Sequence, residues 1–309
     1  FLYLAAKDIK KYFNGKRANV KCVACKNDGK FTFNKKNFSY YLCSKCKTLY
    51  VNPRPKEEAF NNYYTQSSSI KFLGNALYKK TKEARRKKIW APKAKIIIEK
   101  LKKNKIKKCT FVDIGGGQGN FAEEILKRGR GKAVVIEPSP VMAEECRRKK
   151  INVIEKFLEY VKKEDLPKNK KCFTCFELLE HLYDPTKFVK NLHKLMNKDD
   201  LFIFTTLSSL GADILALWKN SRSINPPHHI NFFNPNSVSI FLKKNKFKII
   251  DISTPGKIDI DILENDKHLI KDRFWKTFFN FATQSHKKEI QNFISENNLS
   301  SHMMVICKK

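Results

Sequence analysis

The chain has 309 residues, 41% of them hydrophobic, and it carries a formal net charge of +33. This length predicts one large domain accompanied by a smaller one. The apolar runs fall short of the roughly 18 residues of a membrane helix, and the opening FLYLAA is shorter than the roughly 7–15 residues of a signal-peptide core. We therefore expect a cytoplasmic protein without a membrane span.

The positive charge raises the question of a nucleic-acid partner. The lysines, however, are spread over the whole chain together with Asn, Ile and Phe, which is typical of a coding bias rather than of a dedicated patch. The densest basic runs, KKTKEARRKK at 79–88 and KLKKNKIKK at 100–108, are interpreted as solvated helix faces. The sequence has no aromatic RNA-binding signature, so nucleic acid is the disfavoured partner and a small molecule the favoured one.

Two cysteine pairs follow a short N-terminal lead at residues 1–19. They form the pattern C-x2-C-x17-C-x2-C with Cys22, Cys25, Cys43 and Cys46. This spacing is typical of a tetrahedral zinc site made of four thiolates, and the intervening GKFTFNKKNFSYYL alternates like a hairpin. So short a segment needs a metal to fold. We predict a zinc ribbon over residues 20–55, with a structural ion because four protein ligands leave no open position.

Two alternatives stay open for these cysteines. A pair of disulfides would suit a secreted protein, but nothing else in the sequence indicates secretion. Iron would fit the same four thiolates, but the chain shows no partner for an electron carrier. The C-x-x-C at Cys172 and Cys175 is different, because it lies in the apolar run CFTCF. Positions i and i+3 of a strand face opposite sides, so we interpret both cysteines as core residues.

The rest of the chain predicts an α/β fold. Residues 56–106 read as a helical linker or cap, broken at TQSSS. Short apolar runs then alternate with helical stretches through a domain over 107–309: CTFVDI, AVVIE, INVI, CFTCFE, LFIFTTL and FKIIDI. This alternation predicts a Rossmann-like, mostly parallel seven-stranded sheet with helices on both faces. The last run, HMMVICKK, follows a helical insertion at about 254–300 and predicts a terminal antiparallel hairpin.

A glycine turn lies between the first of these strands and its helix, in VDIGGGQGNFAEEILKRG at 112–129. Bare backbone at a helix N-terminus predicts a nucleotide-type site, and Glu137 at the end of the next strand could accept ribose hydroxyls. GQGNFA matches a dinucleotide fingerprint. The same turn also reads as D-x-G-x-G-x-G from Asp113 through Gly115, Gly117 and Gly119. A carboxylate there repels a pyrophosphate and attracts an ammonium, which favours S-adenosylmethionine and leaves NAD as the alternative.

Four stretches, the glycine turn among them, occur in the order and spacing of one enzyme family: VDIGGGQGNFAEEILKRG, VVIEPSP, CFTCFELLEHLYDP and PPHHINFFNPNSV. With them the chain resembles class I S-adenosylmethionine-dependent methyltransferases, in the bacterial branch whose N-terminal zinc ribbon ends in YVNPRP. The closing STPGKIDIDIL and LSSHMMVICKK extend the likeness from about residue 20 to the end. One departure is Lys170-Lys171, where relatives begin the fourth strand with Phe-Asp, and it leaves the role of the missing Asp open.

The resemblance implies a donor site and a role for each of its residues. Glu137 would hold the ribose, Phe157 would lie near the adenine, and Phe176 and Glu177 would line the pocket. The glycines would form its floor: Gly115, Gly117 and Gly119. S-adenosylmethionine would be the cofactor, which argues against NAD.

Methyl transfer also needs an aligned nucleophile and, for a hydroxyl acceptor, a base, for which histidine is suited. His229 matches the family's histidine in HINFF and is our candidate base, with His181 as second candidate or as a residue that binds backbone. Phe232 and Phe233 are interpreted as packing residues. The family's setting favours O-methylation of a sugar or of a cell-envelope or secondary-metabolite precursor. An RNA methyltransferase and a non-catalytic S-adenosylmethionine-binding protein are the alternatives.

Overall fold

The computed structural model describes residues 2–72, 80–106, 109–129 and 131–309. The basic runs at 79–88 and 100–108 each extend outside these ranges, at residue 79 and at residues 107–108, and the helical linker at 56–106 does so at 73–79. Among the described residues, no helix is long and apolar enough to cross a membrane.

The large domain is built on one twisted sheet. Its strands are β6 (Thr110–Ile114), β7 (Ala133–Ile136), β8 (Asn152–Ile154), β9 (Lys171–Phe176), β10 (Leu201–Leu207), β12 (Lys248–Ser253) and β13 (His302–Lys308). In the described part of the chain these seven strands run in the order β12-β13-β10-β9-β6-β7-β8. β13 is antiparallel to both neighbours, whereas the pairs from β10 to β8 are parallel. The mostly parallel sheet with a terminal antiparallel hairpin is therefore confirmed.

Helices cover both faces of this sheet. They are α5 (Ala91–Lys103), α6 (Asn120–Lys127), α7 (Pro140–Arg148), α8 (Pro185–Leu195) and α10 (Pro235–Lys244), whereas α9 (Ala212–Leu217) packs away from these faces. Alternate strand residues face opposite ways, so Phe111 packs with α5 and α6 while Val112 packs with α8 and α10. Cys172 and Cys175 are buried on opposite faces, as predicted for core residues.

The two lysines that stand in place of Phe-Asp at the start of the fourth strand of the large sheet, β9, have a local explanation. Lys171 is only 2% exposed. Its Nζ lies 3.1 Å from Asp200 Oδ2, and its backbone N–H donates to Asp200 Oδ1 at 2.7 Å. A buried ammonium needs such a partner. The pair lies at the amino end of β9, a strand's length from its carboxyl end, so this departure leaves the ligand-binding edge of the sheet unchanged.

The N-terminal region forms a second sheet. Its strands are β2 (Gly29–Lys35), β3 (Phe38–Cys43) and β4 (Leu49–Val51), while β1 (Arg17–Ala18) and β5 (Arg54–Pro55) pair with each other in a separate two-stranded sheet. The predicted hairpin between the cysteine pairs is β2–β3. The sheet continues through β4 to β11 (Asn231–Phe232), which belongs to the large domain. Phe232 and Phe233 are fully buried, in agreement with a packing role.

Short helices complete the chain. They are α1 (Leu2–Tyr12), α2 (Glu57–Gln66), α3 (Ser68–Phe72), α4 (Lys82–Arg85, followed by a π turn to Trp90), α11 (Asp259–Asn265), α12 (Arg273–Phe281) and α13 (Gln284–Glu296). Phe13, at the end of α1, packs with Phe60 and Tyr63 of α2 and with Phe38 of β3. The cap is therefore joined to the ribbon by one aromatic core. α11 to α13 lie between β12 and β13 in the sequence and pack with α9.

Candidate active site

A cavity of about 970 Å³ opens at the carboxyl ends of β6, β7 and β9. This is the edge at which parallel α/β sheets bind ligands. Most of the site residues predicted from the sequence line it: Asp113, Gly115, Gly117, Glu137, Phe157, Phe176, Glu177, His181 and His229. Residues of the cap helix α2 and of the segment before α5 close its other side, among them Tyr64, Arg85 and Trp90.

The glycine turn brings bare backbone to the cavity. Gly115, Gly117 and Gly119 all have a positive φ, between 55° and 69°, which side-chain-bearing residues rarely adopt. Gly119 lies behind the lining, where an added Cβ would come within 3.0 Å of Cys146 Sγ. A Cβ on Gly116 would lie 2.6 Å from Asp113 Oδ2. The turn therefore needs glycine for both conformation and space.

Two buried carboxylates lie at this turn, and one of them binds its backbone. Asp113 is 2% exposed and accepts a hydrogen bond from Thr174 Oγ1 at 2.7 Å; burial raises the pKa of Asp113 to about 7. Glu137 Oε2 accepts the Gly117 N–H at 2.9 Å, and its Oε1 accepts the Ser139 N–H at 3.0 Å. Burial raises the pKa of Glu137, although these two backbone donors oppose the shift. Glu137 thus fixes the turn that would receive the ligand.

Glu177 is held by groups that sequence reasoning missed. Thr205 Oγ1 donates to its Oε1 at 2.6 Å, while Lys93 Nζ and His302 Nδ1 lie 3.5 Å from its two oxygens. Burial alone would raise the pKa of Glu177, but His302 and Lys93 outweigh it and hold that pKa well below its usual range. Lys93 also lies 4.6 Å from the centre of the Phe176 ring. The carboxylate therefore stays ionised at the carboxyl end of β9.

Three histidines gather on the other side of the cavity. The ring centres of His181 and His229 are 4.8 Å apart, and those of His181 and His228 are 6.2 Å apart. His228 Nε2 lies 2.9 Å from Tyr63 Oη, and His181 Nδ1 lies 3.3 Å from Tyr64 Oη. Burial lowers the pKa of His228 to about 4 and that of His181 well below its usual range. These two rings are therefore neutral at neutral pH.

The third histidine has a defined tautomer. His229 Nδ1 lies 2.6 Å from the Ser223 carbonyl oxygen. Because a carbonyl can only accept, neutral His229 carries its proton on Nδ1 and exposes Nε2 as an acceptor. Burial lowers the pKa of His229, and the Ser223 carbonyl and Glu177 only partly offset this effect. The ring is thus a neutral base at neutral pH.

Within the described residues, two groups of side chains could hold a metal ion. In the ribbon, the four cysteine sulfurs lie within 4.8 Å of one another, with 3.5 Å between Cys22 and Cys46 and 3.4 Å between Cys25 and Cys43. A tetrahedral zinc ion with bonds of about 2.3 Å places its sulfurs about 3.8 Å apart, so the set fits structural zinc. The described cysteines are all free thiols, which argues against the disulfide alternative.

The second group is Glu180 with His181 and His229, whose ligand atoms also lie within 4.8 Å of one another. Glu180 is fully buried. Its Oε2 accepts from Thr206 Oγ1 at 2.8 Å, whereas its Oε1 has no hydrogen-bond partner among the described residues. Burial and the neighbouring Glu177 raise the pKa of Glu180 well above its usual range. A neutral acid therefore lies behind the two histidines.

Comparison with known proteins decides the family. A family model described as a methyltransferase domain matches residues 82–252, which is more than half of the chain. The chain belongs to this methyltransferase domain family. With the sheet order and the motifs, this makes it a class I S-adenosylmethionine-dependent methyltransferase, as the resemblance predicted.

This methyltransferase is also similar to individual proteins. It is 30% identical over 103 residues to the ubiquinone biosynthesis O-methyltransferase of Neisseria meningitidis serogroup A / serotype 4A, a match over 31% of this chain and 43% of that protein. The match thus spans less than half of the relative. The plantazolicin methyltransferase BpumL in complex with SAH has 12% identity and a TM-score of 0.51, over 81% of this chain and 94% of that one. BamL, with a triazolic desmethylPZN analog and SAH, gives the same values. These two structures show the shared fold.

Proposed function

We propose that this methyltransferase transfers a methyl group from S-adenosylmethionine to a hydroxyl oxygen of a small molecule, such as a sugar or a cell-envelope or secondary-metabolite precursor. The observation that carries the proposal is the composition of the cavity. Its lining includes the glycine turn with carboxylates, as well as three histidines and a tyrosine. The glycine turn and the carboxylates suit a cationic nucleoside. The histidines and the tyrosine suit an acceptor hydroxyl, which must lose its proton.

The residues of the turn fit this donor. Nothing lies within 4 Å of a Cβ built on Gly117, so a ligand can approach the backbone there. Glu137 would hold the ribose hydroxyls and Phe157, 49% exposed at the rim, would cover the adenine. Glu177, which stays ionised, would supply the negative potential that a sulfonium and an ammonium need, and Asp113 would add to it when deprotonated. A dinucleotide pyrophosphate would be repelled by the same carboxylates.

The donor supplies an already activated methyl group, and the protein must align the acceptor and take its proton. His229 is the better candidate base, because its Nδ1 is bound to Ser223 and its Nε2 is an acceptor. His181 is the second candidate base, and its Nδ1 contacts the Tyr64 hydroxyl. Neither ring needs to lose a proton first, because burial keeps both neutral.

Glu137→Ala should weaken binding of S-adenosylmethionine by about 1.5–3 kcal/mol, because a charged acceptor for two ribose hydroxyls is lost. Calorimetry with the donor and its demethylated product measures this change, with NAD as a ligand that should not bind. Glu155→Gln is the matched control, since Glu155 is paired with Arg147 outside the cavity. Unchanged affinity in Glu137→Ala would show that the ribose is held elsewhere.

The whole function is tested by incubating the protein with methyl-labelled donor and a size-fractionated cell extract. We expect the label in the small-molecule fraction, at a rate that depends on His229. Stoichiometric label in one RNA would instead support the RNA-methyltransferase alternative. Donor binding without label in any fraction would support a non-catalytic binding protein.

A further inference from the structure

We propose that two buried residues of the ribbon, Arg54 and Tyr40, hold the loop of His229 in its working position. The ribbon would then be part of the active site rather than an appended module. This inference rests on the proposed role of His229 and adds positioning residues to it. Neither residue lines the cavity.

Arg54 joins the two loops that carry the histidines. Its Nη1 donates to the carbonyl oxygen of Tyr183, in the loop that follows His181. Its Nη2 donates to Asn231 Oδ1 at 2.8 Å, two residues after His229. The amide of Asn231 in turn donates to the Leu182 carbonyl at 2.7 Å. One guanidinium thus fixes the distance between both loops.

The burial of this guanidinium is costly. Arg54 is 1% exposed, and burial lowers its pKa to about 10. In the described ranges, it takes part in none of the salt bridges, and its Nε has no hydrogen-bond partner. The guanidinium carbon also lies 5.7 Å from the centre of the Tyr183 ring. A buried cation held by backbone and amide oxygens and one aromatic ring, without a carboxylate partner, contributes little net stability. Its geometric effect, the joining of two loops, is therefore the better explanation for its presence.

Tyr40 fixes the other side of the His229 loop. It is fully buried, and its Oη donates to the His229 carbonyl oxygen at 2.7 Å. The next residues are paired with β4: the Val51 N–H donates to the Ile230 carbonyl at 3.0 Å, and Asn231 lies opposite Tyr50. The backbone of His229 is thus attached to the ribbon while its ring is attached to Ser223. Together these contacts set the direction of Nε2.

Tyr40→Phe removes one hydrogen bond and keeps the ring that packs on Phe33 and Phe232. We expect kcat to fall about fivefold, the effect of one lost hydrogen bond expressed in the rate. The Kd for S-adenosylmethionine and the zinc content should stay within twofold of wild type. The pKa of His229, followed by NMR of the ring, should rise toward its usual value because a looser loop admits water. Tyr41→Phe, the neighbouring change on β3, is the matched control.

Arg54→Lys provides a second test, because an ammonium keeps the charge but cannot span both loops. It should lower kcat further than Tyr40→Phe does, again with zinc retained. If Arg54→Lys fails to fold, Tyr40→Phe still decides. An unchanged His229 titration and an unchanged kcat in Tyr40→Phe would overturn the positioning role. A shifted titration with unchanged kcat would keep that role and would instead contradict His229 as the base.

Discussion

His229→Ala should lower turnover by about 10²–10⁴-fold, the usual effect of removing a positioned general base. The donor affinity should stay within a factor of a few, because Nε2 of His229 is proposed to face the acceptor and Nδ1 is already bound to Ser223. Steady-state kinetics and calorimetry on the same preparation measure the two quantities. His268→Ala is the matched control, since His268 is exposed and does not line the cavity.

The pH dependence gives this prediction a second readout. A base acts only when unprotonated, so the rate should rise as the pH increases through the pKa of His229 and then level off. The sequence alone predicts this inflection near about 6.5, the value of an unperturbed imidazole. Burial lowers the pKa of His229, so we expect the inflection below that value and a flat rate at neutral pH. His229→Ala should lose the inflection.

Three other results would contradict the base role of His229. A variant that keeps its rate but loses acceptor affinity would make His229 a hydrogen-bonding contact. A variant with no defect would transfer the role to His181. A rate that disappears on chelation without loss of ribbon zinc, and returns with a divalent cation, would make His229 a ligand in the group with Glu180 and His181.

Cys43→Ser should reduce the zinc content from about one ion per chain to near zero. The four-thiolate set loses one ligand, and the energy that metal binding contributes to folding is lost with it. Turnover should fall as well, because β4, which follows Cys43, pairs with β11 next to His229. Metal analysis checks the zinc content, thermal unfolding and hydrogen exchange over residues 20–55 check the stability, and steady-state kinetics check the turnover.

Cys307→Ala is the control for this change, because Cys307 is a buried cysteine of β13 outside the ribbon. It should keep its zinc even if the core is less stable. Wild-type protein that contains no metal, or that forms disulfides among Cys22, Cys25, Cys43 and Cys46, would contradict the zinc ribbon. Iron in stoichiometric amount would show that the site is correct and the metal wrong.

Local patterns account for what the sequence could predict. The cysteine pairs and the turn from Asp113 to Gly119 act through spacings of a few residues, which a sequence displays directly. The strands β6 and β10 are buried along their whole length, and such continuous apolar runs are easily recognised. The order of these motifs along the chain then indicated the fold and the donor.

Long-range contacts account for the features that the sequence could not predict. Nothing near Glu177 in the sequence indicates Lys93 or His302, which hold its charge. The tautomer of His229 depends on Ser223, and its neutral state depends on its burial, which distant parts of the chain provide. The pairing of Tyr50 with Asn231 joins two distant segments through backbone atoms alone, which leave no pattern in the residue types.

The most direct measurement is carbon-13 NMR of the product formed from methyl-labelled S-adenosylmethionine. We expect one small molecule whose labelled methyl carbon is bonded to oxygen. Wild-type protein should form it, and His229→Ala should form it at least about a hundredfold more slowly, on the order expected for a lost base. A labelled methyl on carbon or nitrogen, or on a macromolecule, would contradict this expectation.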